Sequence, residues 1–164
     1  MTALAARFWS TVAEPFSPEQ LEALERTITA HLESFAEGNP VLAGIERGEP
    51  GERRWYVRML GEQKQHFSIW LTLDQRTLLC ETYFMPGPAE NRDQVFEYLM
   101  RRANKLYGAG FVIGLEDAIY LRGHLDNRFV DEEELDRVIG MLYMATEECF
   151  RPAMRLGFAS KFDG

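Results

Sequence analysis

Apolar positions follow two rhythms along this chain. From Leu21 through Leu24, Ile28, Leu32 and Phe35 they recur every three to four residues, which predicts an amphipathic helix over 18–37. Ser17, Pro18 and Gln20 mark its start as an N-cap, a first-turn proline and the return acceptor of a capping box. Gly38, Asn39 and Pro40 stop it. The rhythm then shortens to strand-like runs, weak at 41–46 and strong at 54–60, 66–73 and 77–85, separated by turn residues around 48–51, 61–64 and 74–75. That spacing predicts an antiparallel meander. After Pro86, Gly87 and Pro88, the positions Val95, Phe96, Leu99, Met100, Ala103 and Leu106 predict a second helix over 90–107. Short strands at 111–115 and 118–122 flank a turn at Glu116 and Asp117. A last helix opens at Asp131, with Glu134 three residues on, and runs through Leu135, Val138, Ile139, Leu142, Ala145 and Cys149. Pro152, which lacks a backbone donor, is expected to kink or end it.

The fold class that follows is α+β: helix, antiparallel strand meander, helix, β-hairpin and long C-terminal helix. Residues 1–16, with Leu4, Phe8 and Val12 at helical spacing before Pro15, read as an N-terminal arm or short helix, and 17–164 as one domain. A two-residue loop at Asp74 and Gln75 would pair positions summing to 149. Phe67, Ile69, Leu71 and Leu73 then share a core face with Arg76, Leu78, Cys80, Thr82 and Phe84. The opposite face carries His66, Ser68, Trp70, Leu79, Glu81 and Tyr83, and an even-length loop near Glu62 and Gln63 adds Trp55, Val57 and Met59 to it. Both faces are then partly apolar, where a sheet with one solvated face alternates more cleanly. Either helices cover both sides, or a partner covers the second face. In the second case Trp55, Val57, Met59, Trp70, Leu79 and Tyr83 form a protein-binding or dimer surface.

Composition narrows the chemistry. Eighteen Lys and Arg against 26 Asp and Glu leave a net charge of −8, which opposes nucleic acid and anionic lipid as partners. Forty-six per cent hydrophobic residues over 164 positions suffice for a core without metal or disulfide staples. Cys80 and Cys149 read as reduced core residues. No secretory signal or membrane span is legible, and a cytoplasmic setting is expected. Phosphate-loop, dinucleotide, zinc-protease and nucleophile-elbow motifs are missing from the sequence. His31, His66 and His124 are scattered, so no metal or catalytic cluster and no cofactor is assigned. Arg53, Arg54 and Arg58 around Trp55 and Tyr56 read as a solvated edge, and the acidic run at 131–134 as a favourable first helical turn.

The blocks Arg54-Trp55-Tyr56-Val57-Arg58, Trp70-Leu71-Thr72-Leu73-Asp74-Gln75-Arg76-Thr77-Leu78 and Cys149-Phe150-Arg151-Pro152-Ala153-Met154-Arg155-Leu156-Gly157-Phe158-Ala159-Ser160 resemble the YbjN family, described as bacterial sensory transduction regulators. The resemblance covers about residues 18–160. It implies a fold like that of type III secretion chaperones, which are small, acidic, usually dimeric and bind extended segments of client proteins. The function expected is a non-enzymatic regulatory or chaperone-like module, a homodimer with a protein or peptide client. The alternative is a ligand-sensing or enzymatic domain with a pocket near His66, Glu81 and Tyr83.

Overall fold

A computed structural model describes residues 14–162. Three helices, α1 (Pro18–Ala36), α2 (Arg92–Ala103) and α3 (Glu132–Gly157), pack on one face of a six-stranded antiparallel sheet. The strands are β1 (Leu42–Arg47), β2 (Arg54–Leu60), β3 (His66–Leu73), β4 (Thr77–Met85), β5 (Ala109–Ile113) and β6 (Ile119–Asp126), in the spatial order β1-β2-β3-β4-β6-β5. This is the α+β architecture expected.

Local chemistry accounts for the element boundaries. Ser17 Oγ accepts from the Gln20 N–H while Gln20 Oε1 accepts from the Ser17 N–H, which closes the capping box of α1. Asp131 Oδ1 accepts from the Glu134 N–H at the start of α3. That helix continues past Pro152 to Gly157. The proline lies in an exposed turn, where the carbonyl deprived of its donor can turn to water, so the helix is not ended there. Helix α2 is shorter than its periodicity suggests. After Ala103 the chain tightens into bonds from Lys105 N–H to Arg102 O and from Leu106 N–H to Ala103 O, then turns at Gly108 with φ of +78°. The 1–16 arm lies mostly outside the described residues; at its end, the Phe16 N–H donates to Gln75 O beside the β3–β4 turn.

The core has two parts. The larger lies between α1, α3 and strands β2 to β4, with Ile28, Leu32, Val57, Ile69, Leu71 and Leu142 fully enclosed. The smaller lies under α2 and the end of α3, around Phe84, Met85, Val95, Leu99 and Ile119. Cys80 and Cys149 are buried free thiols, and burial pushes the Cys80 thiol up to about 12. No helix among the described residues is long and apolar enough to cross a membrane.

Candidate functional site

Register decides which side chains reach which face. Strands β3 and β4 pair with sums of 151, Leu73 opposite Leu78 and Leu71 opposite Cys80, two residues from the register expected. A shift of two preserves sidedness, so the assigned core face is buried except for Arg76, which the slip leaves exposed in the turn. Strands β2 and β3 pair Leu60 with His66 across a loop of odd length, Gly61 to Gln65, and odd length reverses sidedness. Trp55, Val57 and Met59 therefore lie under the helices and are almost wholly enclosed, rather than on the surface proposed for them. Trp55 Nε1 donates to Thr29 Oγ1 of α1 at 3.1 Å, and Arg47 stacks over its ring while ion-pairing with Glu25.

The odd loop has a physical cause. Glu147 of α3 places its carboxylate among three successive backbone donors, the N–H groups of Glu62, Gln63 and Lys64, at 2.7, 3.0 and 3.1 Å. A Cβ at Gly61 would come within 2.2 Å of that carboxylate, so glycine is required there. The carboxylate holds the β2–β3 turn in the conformation that sends Trp55 inward.

Trp70, Leu79 and Tyr83 do lie on the other face, where no element packs among the described residues. Tyr56 and Trp70 meet edge to face at 6.1 Å between centroids, and Tyr83 and Tyr120 at 5.5 Å. Between these pairs Glu81 takes two bonds from Arg122, at 2.7 Å from Nε and 2.6 Å from Nη2. Arg58 clasps Glu46 with two bonds of 2.8 Å. The open face is thus aromatic and its charges are mutually satisfied, a composition typical of protein contact surfaces. His66 and Glu81 share this face with Tyr83, but Glu81 is committed to Arg122. No group of three or more His, Cys, Asp or Glu side chains among the described residues is placed to hold a metal ion.

Sequence reasoning missed two features. Lys64 Nζ donates to the carbonyl oxygens of Tyr83 and, at 2.9 Å, Phe84, and stands over the rings of Phe67, Tyr83 and Phe150. Burial lowers its pKa to about 8. The second is an apolar hollow of about 200 Å³ between α2 and β5, lined by Phe96, Leu99, Met100, Phe111, Val112 and Ile113. Met100 is 74% exposed, Ile113 54% and the adjoining Leu115 83%. Apolar excess at 111–113 was visible in the sequence; its position at the sheet edge was not.

No family model matches the chain. Uncharacterized proteins of Mycobacterium tuberculosis and Mycobacterium bovis are 32% identical to it over 104 residues, which cover 63% of this chain and 57% of each relative. An uncharacterized protein of Mycobacterium leprae is 29% identical over 110 residues, 67% of this chain and 60% of its own. The matches thus span less than two thirds of these relatives. Among solved structures, a chain of the HopA1-SchA chaperone-effector complex superimposes with a TM-score of 0.56 over 82% of this chain and 98% of its own, at 12% identity. The fold is type III secretion chaperone-like.

Proposed function

We propose that this chain is a non-enzymatic, chaperone-like protein-binding module of the YbjN type, one domain over 17–164 that acts in the cytoplasm as a homodimer. It holds a segment of a client protein on the open sheet face around Trp70, Leu79 and Tyr83. The observation that carries this reading is the contrast between the two sides of one sheet. One is sealed by three helices, while the other presents two aromatic pairs with its charges already paired. A partner covering that face desolvates large rigid rings without stranding a charge. Kinship of fold with a chain from a chaperone-effector complex agrees with it.

Affinity capture from the native cell, followed by mass spectrometry, tests the proposal. The wild-type chain is expected to retain a defined client, and Trp70→Ala to weaken its capture at least tenfold, as expected of a central aromatic anchor. Reproducible recovery of this chain alone, or unchanged capture by Trp70→Ala and Tyr83→Ala, overturns it.

A further inference from the structure

The two edges of the sheet are treated differently. On β1, a bulge between Leu42 and Gly44 interrupts the ladder, Glu46 and Arg47 carry charge, and α1 packs alongside. These are the usual means of blunting an edge. Strand β5 also has a helix alongside, α2, but lacks the bulge and the charges. It reads Ala109-Gly110-Phe111-Val112-Ile113, without charge, proline or bulge, and flanks the apolar hollow beneath α2.

Its free edge can be specified atom by atom. The Gly114 N–H donates to Ala118 O at 2.8 Å, so the backbone of Gly114 faces β6. Donors alternate along a strand, and β5 pairs with β6 at sums of 232. The N–H and C=O groups of Ala109, Phe111 and Ile113 therefore point away from β6, and no other bond among the described residues reaches them. Their side chains share the helix-covered face with their partners Gly123, Leu121 and Ile119.

We propose that β5 is a pairing edge for a second copy of this chain, two β5 strands meeting antiparallel about a two-fold axis at Phe111. That register sets Phe111 opposite Phe111 of the second copy, and Ala109 opposite Ile113 in both directions. It satisfies all three donors and all three acceptors on each strand with six bonds. The arrangement is self-complementary because the outward-facing residues are symmetric about the strand's centre.

Charge selects the same occupant. Helix α1 carries four Glu and one Arg, and α3 carries six acidic residues and three Arg, so each has a net charge of −3. Helix α2, which borders β5, carries Arg92, Arg101 and Arg102 against Asp93 and Glu97, a net of +1. In a molecule of net −8, this is the helix that can approach its own copy without acidic repulsion. Its exposed Glu97 and Arg101, now paired within the helix at 2.6 Å, offer opposite charges across the axis. The exposed Met100 and Ile113 of each copy border the hollow of the other.

The inference rests on the homodimer of the proposed function and gives it a location. In sedimentation velocity the wild-type chain is expected to be a dimer. Ile113→Lys or Met100→Glu should raise the dissociation constant about tenfold per altered side chain, about a hundredfold for the symmetric pair. Both positions are exposed, so the folded monomer should persist, which circular dichroism verifies. Register is tested by mixing Ala109→Cys chains with Ile113→Cys chains under mild oxidation. Covalent dimers should form in the mixture and not from either variant alone. A monomeric wild type, dimers indifferent to both surface substitutions, or equal cross-linking without mixing overturns the inference. If Trp70→Ala dissociates the dimer and Ile113→Lys does not, the open face is the self-association surface and the β5 inference falls. If Ile113→Lys splits the dimer while no client is ever captured, the edge stands and the chaperone-like reading falls.

Discussion

Lys64 shows how one side chain can do the work of a ladder. Strands β3 and β4 run on to His66 and Met85, yet their pairing stops at Ile69 and Thr82. Beyond that point Thr82 Oγ1 donates to Ser68 O at 2.8 Å, and the Lys64 ammonium satisfies the carbonyls of Tyr83 and Phe84. The amine is favoured by two acceptors and three ring faces but disfavoured by lost hydration, and its lowered pKa says that dehydration prevails. Below about pH 8 both folded and unfolded chains hold the proton and the full penalty applies. Between about 8 and the ordinary lysine value near 10.5 the unfolded chain holds more protons, so stability rises with pH. Denaturant unfolding at successive pH values should show this rise, at most about 3 kcal/mol, and Lys64→Met should lack it. A second residue-scale prediction concerns Glu147. Its replacement by Ala leaves three backbone donors without their acceptor and should cost about 1–3 kcal/mol in the same measurement. Gly61→Ala should be comparably destabilising in the wild type and should keep part of that cost beside Glu147→Ala, because its Cβ would meet the Lys64 carbonyl oxygen at 2.5 Å as well as that carboxylate.

At the scale of elements, helices and most strands were legible because their signals are local. The Ser17 capping box, the Asp131 cap and the repeat of Leu and Ile positions need no distant partner to be read. The sidedness of β2 was not local. It depends on whether the β2–β3 loop is even or odd, and Glu147, 83 residues beyond Lys64, holds that loop. Trp55, Val57 and Met59 consequently lie on the face opposite to the one expected, while Trp70, Leu79 and Tyr83, whose hairpin slipped by two, keep theirs. The early end of α2 likewise escaped, since Leu106 keeps the apolar period after the helical bonds have ceased. The β5–β6 turn carries its own cost: Glu116 and Asp117 both have positive φ, near 58°, in a region glycine occupies freely. Replacing Glu116 by Gly should stabilise the hairpin by up to about 1 kcal/mol, as the thermal midpoint would register.

On the scale of the whole molecule, charge and hydrophobicity are sorted by layer. Among the described residues, two of the three helices hold −6 of the net −8, whereas the six strands together sum to +1. The acidic layer keeps copies apart on one side and leaves the sheet side and the β5 edge approachable. Added salt, which screens the two acidic helices, is therefore expected to change the dimer's dissociation constant little, because the proposed contact joins near-neutral surfaces. The gap in the β3–β4 ladder falls close to where the larger core gives way to the smaller one under α2. Such a seam is expected to divide the sheet into two cooperative units. In native-state hydrogen exchange, amides of β5, β6 and α2 should open at lower free energy than those of β2 and β3, and pairing through β5 should close that difference. The unit that meets the second copy would then be the one that gains most order from the meeting.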